Sequence, residues 1–459
     1  MGNTTPNRFR PPTRLCCRRA SPASAWSRPL VRDARGAHDC IVSPTVKPRD
    51  QLPSLFTPEF YRNPYPAYAT LRRSDPVHWD EEHQVWLLTR YADVAAALAE
   101  PQLARGAGDL KVEAEDPLRR VLSRMMLFSE PPRHTRLRAL ANRAFTPRRV
   151  EAMRPRIQAI VDELLDAIDG RHELDVIANL AYPLPVMVIS EILSLPSADL
   201  EQFKRWSDDV IAYSAGATEA EGRARESVRA LLDYFRELAA HLRRSPDGSI
   251  MSALVEAETE GSRLDEEELL ANAILLLMNG HETTTDTIAN GVLALLQHSD
   301  QLDKLRARPS LVTSAVEELM RYDGAVQLRG VRSTRDLQIG GTLIGSGQTV
   351  FMVIGAANRD PAQFPEPDRL DIERVPNRHL ELGHGIHFCL GAALARAESQ
   401  IAINSLLARR SYLELASEHL EWKSIPVFRG LLSLPVRSWE PASEQGTGWD
   451  PSGSKQGER

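Results

Sequence analysis

The segment LGHGIHFCLGAALARAE, Leu382 to Glu398, sets one thiol, Cys389, between Gly385 and Gly391, two residues after His387 and just ahead of a strong helix-forming run. A thiolate is the nucleophilic and metal-ligating form of cysteine, and the free N–H groups of a helix N-terminus stabilise it. Gly383, Gly385 and Gly391 let the backbone turn tightly and approach a flat group closely. The chain has four cysteines, and the other three, Cys16, Cys17 and Cys40, lie near its start. A lone cysteine in the body excludes a disulfide framework there, and without a paired CxxC spacing a thiolate zinc site is also excluded. What remains is a single ligating or reactive thiolate, set against the ordinary role of a small buried hydrophobe.

Three other stretches carry groups that need a reason. NGHETTT, Asn279 to Thr285, puts Glu282 and a run of hydroxyls into an otherwise apolar helical segment. Burying such groups is costly unless they are bonded or used. Glu318 and Arg321 are three apart and share a helix face, a spacing that is common on surfaces and weak by itself. His134 and Arg138, four apart after Pro131-Pro132, also share a face, a spacing that by itself reads as a solvated helix face.

The elements that must position these groups read as mainly helical with small β-sheets. PVHWDEEHQVWLLTRY reads as a hairpin, and ADVAAALAE as a helix stopped at Pro101. From Asp265, which with Glu268 makes a capping pair, a helix runs without proline to about His298. That is about 34 residues, or roughly 50 Å. Its middle is apolar on nearly all faces, so it should cross the core of a large domain. LVTSAVEELMRY is a shorter helix ending near Gly324. RSTRDLQIGGTLIGSGQTVFMVIG alternates and is broken by glycines, as strands and turns are, and FCLGAALARAESQIAINSLLARR is helical again.

On these motifs the chain resembles the cytochrome P-450 superfamily, the haem-thiolate monooxygenases, in particular its soluble bacterial members. The family pattern Phe-x-x-Gly-x-x-x-Cys-x-Gly is matched at Gly385, Cys389 and Gly391, with Leu382 where the phenylalanine usually stands. The resemblance covers roughly residues 50 to 440 and implies the cytochrome P-450 fold, with the long helix over the haem. It implies Cys389 as the axial thiolate on iron, and Glu282 with Thr283 as an acid–alcohol pair that relays protons to dioxygen. His134, Arg138 and His387 are implied to bind the haem propionates, with Arg329 or Arg332 as a further partner, and Gly385 and Gly391 to lie against the haem. Asn279, Gly280, Ala325, Val326 and Leu431 are implied to line the substrate pocket. Glu318, Arg321 and Arg369 are implied to form a structural ion-pair network.

The implied cofactor is haem b, with O2 as co-substrate and electrons from NAD(P)H through a separate ferredoxin and ferredoxin reductase. The Arg-rich stretch from Arg133 to Arg149 is a candidate docking face for an acidic partner. The substrate is a small organic molecule, free or tethered to a carrier protein, and natural-product tailoring in secondary metabolism is the expected role. Specificity is expected from residues 102 to 128 and 200 to 220. Two rivals stay open: a peroxide-using or oxygen-rearranging haem-thiolate enzyme, and a non-catalytic haem sensor; neither has need of Glu282 and Thr283. The net charge of −6 gives no reason to expect nucleic acid. No stretch approaches the roughly 18 apolar residues that span a bilayer. A cytoplasmic, monomeric protein is expected. Residues 49–440 read as one domain, 441–459 as a polar tail, and 1–48, rich in Arg, Pro and Ser, as a disordered extension. Arg18-Arg19 is followed by no apolar run, so a twin-arginine signal is discounted, while a transit peptide or a mis-called start stays open.

Overall fold

The long apolar segment forms one helix, Glu266–Gln297, of 32 residues, and most of the other elements are laid around it. Its start is set by a capping box in which Asp265 accepts from the Glu268 backbone N–H at 2.7 Å and Glu268 accepts from the Asp265 N–H at 3.3 Å. From Thr284 to Leu295 every residue is buried, as the all-round apolar pattern requires. The computed structural model describes residues 55–105, 116–196, 199–214, 218–259 and 262–439. The readings of 1–48 and 441–459, and parts of both expected specificity regions, lie outside the described residues.

The hairpin forms as read, with Val77–Asp80 antiparallel to Val85–Leu88 and Trp79 opposite Trp86. It is the edge of a five-stranded sheet that continues through Thr349–Val353 and Leu328–Ser333 to Leu103–Ala104. Within it Met352 pairs with Arg329, which fixes on which side of the strand that arginine leaves. A second sheet joins Tyr412–Leu415, Pro435–Trp439 and Glu173–Asp175. The helix Ala392–Arg409 starts three residues after Cys389, and the helix Val312–Asp323 ends at Gly324. These are the mainly helical body and small sheets expected from the sequence.

The helix Val312–Asp323 is tied to the cysteine helix by Arg396, whose Nε and Nη2 donate to the two oxygens of Glu317 at 2.6 and 2.8 Å. The neighbouring Glu318 is fully buried and receives Arg321 at 2.7 and 2.9 Å. Its second arginine is Arg374, with Nε at 3.1 and 3.2 Å from the two oxygens, and not Arg369 as the sequence reading had it. The guanidinium of Arg369 is largely exposed and pairs with Glu366; only its carbonyl joins the network, accepting from Arg321. A carboxylate with no access to water needs donors on both oxygens, and five residues beyond Arg369 the chain turns Arg374 inward to supply them. Asn377 and the Asp371 N–H complete the set.

Loss of Arg374 strips Glu318 of half its charge compensation. Arg374→Ala is expected to lower stability by about 2–4 kcal/mol, and Arg369→Ala by less than about 0.5 kcal/mol, in denaturant unfolding of the two variants. Equal losses would place Arg369 in the network after all.

Candidate active site

Cys389 sits in the loop that feeds the helix Ala392–Arg409, and its N–H donates to the Leu382 carbonyl at 2.9 Å. Leu382 is buried against the core, so the residue that replaces the usual aromatic still packs under the cysteine loop. Gly385 has φ +72°, a conformation that L side chains rarely adopt, and a Cβ there would stand 3.0 Å from the Leu98 carbonyl oxygen. It does not border the cavity described below, so its part is to turn the loop and not, as expected, to lie against a cofactor. Gly391 does border it, and a Cβ there would point into open space.

The cavity is bounded on one side by Cys389 and the first turn of its helix, and on the other by Asn279, Gly280 and Thr283 of the long helix. Gly280 also lets that helix close on Pro183–Ile192, since a Cβ would lie 2.6 Å from Ile189 Cγ1. Asn279 borders the cavity and donates from its amide to the Leu275 carbonyl at 3.1 Å, which anchors the side chain. Val326 lines the cavity as expected, but Ala325 and Leu431 do not. Both are buried in packing, and the C-terminal loop offers Phe428 to the cavity in place of Leu431. Phe428 bridges to Val326 as an isolated antiparallel pair, which brings it to that wall.

A third wall carries three arginines and two histidines. Arg105, His134, Arg138, Arg329 and His387 all border the cavity. The rings of His134 and His387 lie 4.2 Å apart, and His134 Nδ1, His387 Nε2 and Arg329 Nε are buried without a hydrogen-bond partner. Burial pushes His134 down to about 4, with His387 and Arg138 adding to the fall. Burial also lowers Arg105 to about 9 and lowers Arg329 and His387. Arg332 is not on this wall, so of the two candidate arginines only Arg329 reaches the cavity. Burial pushes the Cys389 thiol up, and Arg329 and the Gly391 N–H pull it back down. Several buried donors without acceptors, next to one thiol and an open face at Gly391, fit a flat anionic group that brings a thiophilic metal. Arg105 and Phe428 escaped the sequence reading: Arg105 stands apart from any motif, and Phe428 is one of several residues in an irregular loop.

The acid of the NGHETTT segment is not in the cavity wall. Thr283, Thr284 and Thr287 border it, whereas Glu282 turns aside to accept from Lys423 Nζ at 2.6 Å. The same ammonium donates to Asp286 at 2.7 Å. Asp286 is fully buried, and a Cβ on Gly430 would collide with it, so this glycine is required where the C-terminal loop passes. Two carboxylates share one lysine, and burial raises Asp286 to about 7, against the pull of Lys423. A larger cleft of about 940 Å³ lies elsewhere, by Tyr65, Arg359 and Trp422. Two of its arginines are already engaged: Arg429 by Asp323 at 2.6 Å, Arg359 stacked between Tyr65 and Tyr322.

A family model described as Cytochrome P450 matches residues 186–414. The chain is 43% identical over 402 residues to the cytochrome P450 monooxygenase PikC of Streptomyces venezuelae, covering 84% of this chain and 94% of that one. It is 41% identical to the vitamin D(3) 25-hydroxylase of Pseudonocardia autotrophica, over 83% of this chain and 95% of the relative. Among solved structures, P450BioI in complex with an acyl carrier protein bearing hexadec-9Z-enoic acid superposes with a TM-score of 0.79 at 39% identity, covering 83% of this chain and 99% of that one.

The shared lysine makes a pH prediction. Asp286 stands above its ordinary 3.8, so its contribution to stability is full below that value and is lost as pH rises toward about 7. Asp286→Asn keeps the shape without the titration. Its melting temperature relative to wild type is expected to improve as pH rises across that window. A difference that stays flat with pH would mean that Asp286 is ionised throughout.

Proposed function

The chain belongs to the cytochrome P450 family and is a haem-thiolate monooxygenase, and from that premise we propose how its own residues serve the reaction. The observation that carries the reading is the cavity between Cys389 and Thr283 with its buried, unpartnered donors on His134, His387 and Arg329. Residues 49–440 are read as the single haem domain. When bound, the haem supplies the activation of dioxygen at a thiolate-ligated iron.

Cys389 would hold the haem iron through its thiolate. Arg138, Arg329, His134 and His387, joined by Arg105, hold the propionates, which would satisfy the donors that the protein itself leaves open. Thr283 is the proton donor facing the cavity. Glu282 passes protons to it from outside, and must leave Lys423 to do so. Asn279, Gly280, Val326 and Phe428 surround the substrate. The class of substrate is inferred from relatives whose names include a polyketide biosynthesis enzyme, PksS of Bacillus subtilis, and from the carrier-protein complex of P450BioI. We read the substrate as a natural-product intermediate, free or carrier-bound.

Electrons come from a separate ferredoxin with its NAD(P)H-dependent reductase. The exposed Arg143, Arg148 and Arg149 support a docking face, since the helix Pro147–Asp166 lies against the cysteine helix through Arg154 to Gln400 at 2.9 Å and Arg409 to Asp162 at 2.9 Å. No helix among the described residues is long and apolar enough to cross a membrane.

Thr283→Ala tests the proton role. With a compound that shifts the haem spin state, product per reductant is expected to fall about tenfold or more while hydrogen peroxide accumulates. The carbon monoxide difference spectrum should stay that of a thiolate-ligated haem in this variant and be lost in Cys389→Ser. Tight coupling in Thr283→Ala would remove Thr283 from the relay. For the docking face, Arg148→Glu is expected to slow reduction by ferredoxin about threefold or more at low salt, with an unchanged spectrum. An unaltered rate would move the docking site elsewhere.

A further inference from the structure

One histidine in the long helix has no part in the haem cavity. His281 is 2% exposed, and its Nδ1 lies 3.0 Å from the carbonyl of Leu277, one turn earlier. A carbonyl only accepts, so Nδ1 carries the hydrogen and Nε2 of the neutral ring presents its lone pair. That nitrogen is buried and has no hydrogen-bond partner. It faces Asp208 Oδ1 at 3.9 Å, across the seam between the helix Leu200–Ser214 and the long helix. The Tyr182 ring stands perpendicular to the imidazole, 6.4 Å between centroids, on another side. Ligand atoms of Asp208, His281 and Glu282 all lie within 4.8 Å of one another.

We propose that Asp208, His281 and Glu282 form a binding site for a divalent transition cation of the zinc class, outside the haem cavity and adjoining the acid of the proton relay. The chemistry of the three donors selects the ion. One imidazole nitrogen with two carboxylates is a borderline set that suits zinc, whereas calcium and magnesium take six or more oxygens. The Leu277 carbonyl does for His281 what an outer carbonyl does in metal sites generally: it fixes the tautomer and aims the free nitrogen. Metal–ligand bonds of about 2.0–2.2 Å set tetrahedral donors roughly 3.5 Å apart, so His281 and Asp208, now 3.9 Å apart, and Glu282, within 4.8 Å of them, would draw together by up to about 1.3 Å, by side-chain rotation of the two carboxylates. Water supplies the fourth position. The Asp208 side chain is 47% exposed, so the ion has a path in, while His281 gives the site a buried floor. Lys423 occupies only Oε1 of Glu282, so the second oxygen is open to the ion. A bound cation would hold Glu282 at the helix seam and away from Thr283, making the site inhibitory to proton delivery.

The test uses the full-length haem-loaded protein, stripped with EDTA, desalted and titrated calorimetrically with zinc chloride beside the Asp208→Ala variant. Asp208 is at the surface, so this variant leaves the core and the cavity alone. Wild type is expected to bind one zinc per chain more than Asp208→Ala in the micromolar range, or to bind at that site about tenfold or more tightly. The ferric haem spectrum should not change during the titration, which separates this site from any loss of thiolate ligation. Identical isotherms for the two proteins would overturn the proposal. So would a wild-type signal that disappears only when Cys16, Cys17 and Cys40 are replaced.

Discussion

Charge that cannot reach water must meet its counter-charge inside the protein, and the ion-pair networks of this molecule follow that rule. Glu318 is fully buried and takes two arginines, an asparagine and a backbone N–H. Arg429 has Asp323, and Glu317 has Arg396. Beside Cys389, by contrast, nitrogens of His134, His387 and Arg329 are buried without a hydrogen bond, and the carboxylate nearest His387, that of Glu130, stands off at 3.9 Å. Leaving a buried donor unmade costs about 1–3 kcal/mol each. Natural chains do not carry several such costs in one place without a ligand that removes them. That wall, with the thiol beside it, is what the proposed haem site rests on.

The long helix meets the same constraint from the other side. A carboxylate pair, Glu282 and Asp286, sits one turn apart in the polar stretch of a helix that is otherwise largely apolar and buried. Lys423 arrives from the C-terminal loop to compensate both at 2.6 and 2.7 Å. The loop can come so close because Gly430 has no side chain where it passes Asp286. One ammonium against two carboxylates leaves a proton to be shared, and the fully buried Asp286 is the group that takes it first. That arrangement makes Glu282 the mobile member of the set.

What could be read from the sequence follows from how local each signal is. The capping box at Asp265, the end of the helix at Gly324 and the cysteine loop are contained in a few consecutive residues, and all lie where the spacing put them. The ion-pair network was legible in its Glu318–Arg321 half for the same reason. Its second half was not: Arg369 and Arg374 stand in one irregular run, and only the path of that run decides which of them turns inward. The choice between Leu431 and Phe428 is of the same kind, settled by a single bridge to Val326. Arg329 and Arg332 lie on one strand, and the sheet register separates them.

Glu282 is the case where motif and geometry part most usefully. Its place beside Thr283 in the chain suggests a pair acting side by side, but adjacent residues on a helix point about 100° apart. Thr283 therefore meets the cavity while Glu282 meets Lys423 on the flank. A relay between them cannot be a static contact. It would require the carboxylate to move, and the strength with which Lys423 holds it, shared as that ammonium is with Asp286, sets how readily it does so. In the proposed relay, then, proton supply would depend on electrostatics on the outer flank of the long helix, at a distance from Cys389.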